Sequence, residues 1–96
     1  MNKYESFIEA FLDFNETTCS NKGFDKNKFE KTCSLLSDLK PIIQESKSVP
    51  LNLANVFIDL YSSIESCAYK HEGEMRQKIL YSADKLAAIA RDVTES

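Results

Sequence analysis

Glycine and proline are nearly missing from this chain: two of each stand among 96 residues. Folds built from short strands need frequent turns, and turns draw heavily on those two residues. Their scarcity argues against a turn-rich β protein, and no stretch alternates apolar and polar residues long enough to make a strand. Histidine occurs once, as His71, and the two glycines, Gly23 and Gly73, are solitary, so no glycine-rich phosphate loop is present. There is no Glu-x-x-His pair for a di-metal site and no Cys-x-x-Cys pair for zinc or redox work. Catalysis needs convergent groups. These absences point to a binding protein without catalytic residues, metal or cofactor.

Long apolar runs are also missing. Nothing approaches the roughly 20 residues that span a bilayer, and "MNKYESFIEA" sets acids where a signal peptide needs an unbroken apolar stretch. A cytoplasmic protein without membrane contact is the expectation. Three widely spaced cysteines make an odd count, from which no disulfide framework is expected. Cys33 and Cys67 read as small hydrophobes on apolar helix faces, and Cys19 as an exposed residue in a polar loop. A net charge of −3 gives no bulk support for nucleic-acid binding. The lysines at 22, 26, 28 and 31 are interleaved with Asp25 and Glu30.

What is present is helical periodicity. A hydrophobic content of 43% with 28% charged residues suits one globular domain over 1–96, able to hide roughly two-thirds of its unfolded surface. A first helix is predicted from an Asn2 cap, with Glu5 completing a capping box, to about Phe14 or Asn15. "ETTCSNKG" then reads as a loop. A second helix is predicted after an Asp25 cap, with Phe24 and Phe29 as a hydrophobic staple and Phe29, Cys33, Leu36, Leu39 and Ile43 on its inner face. Pro41 cannot donate to residue 37, so a kink or break is expected there.

A third helix, capped by Ser48 with Pro50 in its first turn, carries Leu53, Val56, Phe57, Leu60, Ile64 and Cys67. Ala54, Ile58, Tyr61, Ala68 and Tyr69 widen its apolar arc, which predicts the most buried helix of the set. Gly73 suits the left-handed position past its end. The fourth helix turns Met75, Ile79, Ala83, Leu86, Ile89, Ala90 and Val93 to one side. The predicted fold is all-α, an antiparallel four-helix bundle whose second helix is kinked or broken near Pro41.

One surface stands out. Glu5, Glu9, Asp13 and Glu16 fall within an arc of roughly 80° on the first helix. Residues 1–16 hold four acids and one lysine, a local charge of −3 that equals that of the whole chain. Like charges four apart repel by about 0.2–0.5 kcal/mol per pair, so the strip costs stability. Salt bridges to Lys26, Lys28 or Lys31 would explain it structurally; docking onto a basic partner would explain it functionally. Reversing Glu9 and Asp13 to lysine is expected to leave folding nearly intact. Tyr81, on the polar side of the fourth helix, is a candidate interface anchor. Asn52, Asn55, Asp59, Ser62 and Ser66 line a face of small side chains on the third helix, fit for a partner or for a neighbouring helix.

The stretches "YESFIEAFLD", "VFIDLYSSIESCAY" and "EMRQKILYSADKLA" resemble the colicin-D-type immunity proteins, small cytoplasmic helical bundles that shield a bacterium from a tRNA-cleaving toxin. "KHEGE" is shorter than the acidic connection of that family. The resemblance implies that Glu5, Glu9, Asp13 and Glu16 pair with lysines and arginines of a basic nuclease, with Asp59 or Tyr81 contributing from neighbouring faces. The alternative class is a self-associating helical adaptor, chaperone or regulatory module. Its apolar interface would lie on the third helix, with Ile58 and Tyr69 exposed on the monomer. The two readings make the chain a monomer or a homodimer.

Overall fold

The computed structural model describes residues 2–95, and they are all-helical, with no strand among them. Five helices run in order: α1 Lys3–Cys19, α2 Lys26–Ser37, α3 Lys40–Ser46, α4 Leu51–Ala68 and α5 Gly73–Thr94. α1 packs on α2 and α4, and α5 packs on α2, α3 and α4. The core between them takes Phe7, Phe11 and Phe14 from α1, Leu36 and Leu39 from the α2–α3 region, Leu53, Leu60 and Ile64 from α4, and Ile79 and Leu86 from α5.

Local chemistry sets the starts of the first two helices. The Glu5 backbone amide donates to Asn2 Oδ1 at 2.8 Å, which makes Asn2 the cap; Glu5 Oε1 accepts from the Asn2 side-chain Nδ2 at 3.5 Å, not from the backbone N–H that a capping box uses. Asp25 Oδ1 accepts from the Lys28 amide at 3.0 Å, while the Phe24 and Phe29 rings lie 5.4 Å apart as a staple.

Elsewhere the structure departs from the sequence reading. α1 runs on through Glu16, Thr17 and Thr18 to Cys19, where a loop was predicted. The threonines are buried, and Thr18 Oγ1 donates to the Phe14 carbonyl at 2.8 Å, so a polar run is accommodated inside the fold. The break after α2 falls at Asp38–Leu39, ahead of Pro41. Pro41 instead occupies the first turn of α3, where a missing donor costs nothing. Ser48 does not cap α4; that helix has no side-chain cap, and Pro50 stands at its N-cap position. α4 is not wrapped on all sides either. Leu51, Ile58, Tyr61 and Tyr69 are exposed on it, because its arc is wider than the two helices packed against it can cover.

The largest departure concerns cysteine. Cys19 and Cys67 form a disulfide across 48 residues, with Cα atoms 4.5 Å apart. The added turn of α1 carries Cys19 to the end of α4, so it is no exposed loop residue. Beside the bridge, His71 Nε2 lies 2.9 Å from the Thr18 carbonyl. A carbonyl can only accept, so Nε2 carries the proton and closes the C-terminal end of α1. At the same corner Gly23 takes φ +67°, and a Cβ there would lie 2.7 Å from Met75 Sδ, the atom that accepts from the Phe24 amide at 3.1 Å.

Cys33 remains a free thiol, half-buried on α2. Burial pushes its pKa from the ordinary 9.0 up to about 11, with Lys85 pulling it down and Glu30 adding to the rise. The folded chain therefore keeps the thiol proton where the unfolded chain gives it up, and this contribution to stability, present below about pH 9, is lost as pH climbs toward 11. The thiolate is the reactive form. Iodoacetamide should accordingly modify Cys33 in the folded protein at least tenfold more slowly than in urea, at mildly alkaline pH (an estimate of about one decade per pH unit of thiolate suppression). Equal rates would show the thiol to be open and ionised.

Candidate functional site

The acidic strip of α1 borders a groove of about 590 Å³ between α1 and α2, whose walls include Glu9, Leu12, Asp13, Glu16, Lys31 and Leu35. α1 turns Phe7, Phe11 and Phe14 inward, which leaves the opposite side to the acids. The four carboxylates do not share one fate. Glu5 accepts from the side-chain Nδ2 of the capping residue Asn2 at 3.5 Å. Asp13 Oδ1 is held by Lys28 Nζ at 3.1 Å, and the same ammonium donates to Thr17 Oγ1 at 2.8 Å. Asp13 is therefore not a free member of the strip: α2 brings Lys28 alongside it, and the pair helps to seat α2 on α1.

Glu9 and Glu16 are exposed and enter no ion pair among the described residues. They stand seven residues apart, two turns and about 10 Å along the axis. Leu12 lies between them and is 56% exposed. Three-and-four spacing puts Leu12 on one side of α1 with Phe7, Ile8, Phe11 and Phe14; it sits at the edge of that side, where no neighbouring helix covers it. An exposed leucine framed by two unpaired carboxylates is the feature that the sequence reading missed. Its signal was its angular position, closer to Glu9 and Glu16 than to Phe7.

The other two candidates lie elsewhere. Tyr81, 61% exposed, borders a separate groove of about 620 Å³ between α2 and α5, with Phe24, Phe29, Lys26 and Lys78. Lys26 there is 3.9 Å from Glu30 and does not serve the acids of α1. Asp59 is exposed on α4. Neither residue lines the α1–α2 groove, which is bounded by α1 and α2 alone.

No protein-family model matches the chain, and no curated protein or solved structure matches it either. Function must be read from the surface itself. Among the described residues no group of three or more His, Cys, Asp or Glu side chains is placed to hold a metal ion, and no helix is long and apolar enough to cross a membrane. The α1–α2 groove offers carboxylates at a fixed spacing around an apolar knob. Carboxylates can pair with ammonium and guanidinium groups, and an exposed leucine can be buried against a partner.

Proposed function

We propose that this chain is a small acidic binding protein, an antiparallel four-helix bundle that neutralises a basic protein by covering that protein's charged cleft. The observation that carries the reading is the pair Glu9 and Glu16, exposed and in no ion pair among the described residues, on either side of exposed Leu12. Keeping acids together at a cost of repulsion is useful where a cationic partner supplies the missing charge and is steered in by it. A nuclease has such a cleft, since it must hold phosphates. Carboxylates on α1 would occupy phosphate positions, and no catalytic group is required of the inhibitor. An RNA-cleaving toxin is the partner that the colicin-D-type resemblance implies, and an immunity-type role in the bacterial cytoplasm follows from it.

The test is an RNA-cleavage assay with the tRNA-cleaving nuclease domain of a colicin-D-type toxin. Stoichiometric chain should suppress cleavage, and the complex should weaken as salt rises. Because Asp13 is paired with Lys28, the informative variant is Glu9→Lys with Glu16→Lys. Both positions are exposed, so stability should change by no more than about 0.5 kcal/mol. Affinity should fall at least tenfold, about 1.4 kcal/mol. Undiminished cleavage in excess wild-type chain, or full suppression by the double variant, would remove the basis of the reading.

A further inference from the structure

The outward side of α4 is a second surface, built on different chemistry. Leu51 is 78% exposed, Ile58 76%, Tyr69 61% and Tyr61 37%. At 100° per residue Leu51, Ile58 and Tyr69 fall within an arc of about 20°, so they make one line along the helix with Tyr61 at its flank. Asn55, Ser62 and Ser66, all exposed, run beside that line. Between Leu51 and Tyr69 the only charged residues are Asp59 and Glu65, in a chain that is 28% charged. The small polar face is thus not covered by another helix of the fold, which was one of the two options its composition allowed.

A solvated helix face carries long charged side chains, whereas the cores of interfaces are depleted of them. Here few flexible groups would have to be frozen on contact. Asp59 and Glu65 are offset by the Arg76 guanidinium, 5.3 Å from the Tyr69 ring centroid, so the face is close to neutral and a strongly charged partner of either sign finds little complement there. A surface equally apolar and equally poor in charge does, and the chain itself supplies one. A two-fold contact presents the same patch twice, so it must be self-complementary. In an antiparallel pairing that sets Leu51 over Tyr69 of the second copy, Ile58 comes level with Ser62. It then drops into the hole bounded by Ile58, Tyr61, Ser62 and Glu65 of the second copy, the i, i+3, i+4, i+7 pattern that receives a knob. Large side chains meet small ones at the centre, and the two long aliphatic and aromatic ends cover each other.

The area is sufficient. α4 has 18 residues and is about 27 Å long. Each partner in a standard interface contributes about 800 Å², which a face of that length approaches when its exposed side chains interdigitate. We propose that the chain forms a homodimer through α4, in an antiparallel two-fold contact with Ile58 near its centre and Leu51 and Tyr69 at its ends. The acidic groove lies between α1 and α2, away from this face, so the dimer carries two such grooves and its existence is independent of what they bind.

Sedimentation velocity on the full chain decides the matter. The expected result is a mass that doubles as concentration rises from micromolar to hundreds of micromolar, with little change in half-molar salt. Ile58→Glu should weaken the dimer roughly 30-fold or more, the effect of losing a central anchor, with an unaltered far-ultraviolet spectrum because the side chain is exposed. Leu51→Cys with Tyr69→Cys, in a Cys33→Ser background, should cross-link two copies on mild oxidation in the antiparallel register. A monomer at every concentration, leaving the face to another protein or to water, would overturn the proposal. So would a dimer indifferent to Ile58→Glu, and a dimer that fails to cross-link would overturn the register.

Discussion

Opening the Cys19–Cys67 bridge should lower the stability of the fold by about 4 kcal/mol at 25 °C, the chain-entropy value for a closed loop of this length. The loop is long because the two cysteines are 48 residues apart. For a chain of this size such a loss moves the thermal midpoint down by roughly 15–30 °C. It is also a large share of the total, since domains are commonly stable by only about 5–15 kcal/mol. Thermal unfolding followed by circular dichroism, with and without an excess of a dithiol, measures the effect. Reduction is the cleaner comparison: the dithiol takes up the disulfide bond and leaves two thiols, with every other atom of the protein in place. Cys19→Ala with Cys67→Ala should match it to within the extra cost of a small void at fully buried Cys67. Midpoints that agree within a few degrees under oxidising and reducing conditions would mean that packing alone holds α1 to α4. Cytosolic thiol buffers break most such bonds, so the same scan also decides whether an immunity-type protein of the cytoplasm would stand with its bridge open.

Phe14→Ala should cost about 3–5 kcal/mol, the range for removing a large aromatic side chain from a core. Phe14 has no exposed surface, and its ring stands 6.2 Å from Phe24 and 5.9 Å from Phe29. Those two rings form the staple at the head of α2, so deleting the third opens a void and frees the staple from α1 as well. Urea unfolding should show a lower midpoint with the same slope, as expected for lost stability without a change in the surface exposed. A loss under about 1 kcal/mol would show that the three rings do not act as one unit. Because Glu9 and Glu16 lie on the opposite side of α1, partner binding by the surviving folded fraction should be unchanged.

The helical class and the inner faces were legible because apolar residues recur at three and four along each helix, and because Asn2, Asp25 and the Phe24–Phe29 pair are signals written within a few residues of each other. What escaped the sequence depends on contacts between distant segments. "TTCS" reads as polar loop until Thr18 is seen to satisfy its hydroxyl on its own helix. The pairing of Cys19 with Cys67 follows from where two helices end, which no spacing rule encodes. Asp13 could be separated from Glu9 and Glu16 only by knowing that Lys28 comes alongside. Leu12 is the same kind of case: a helix wheel ranks residues by angle, but which angles are covered is decided by how many neighbours the helix has.

The corner around Gly23 has a consequence for how the molecule tolerates change. The tail of α1, the head of α2 and the head of α5 meet where the backbone of residue 23 leans on the Met75 thioether. Nothing larger than a hydrogen atom fits at that point without pushing the sulfur away, and the positive φ excludes most side chains on its own account. The loop and the head of α5 are thereby keyed to one another through the smallest residue available: a methyl group would strain the left-handed backbone and make the flexible end of Met75 give way.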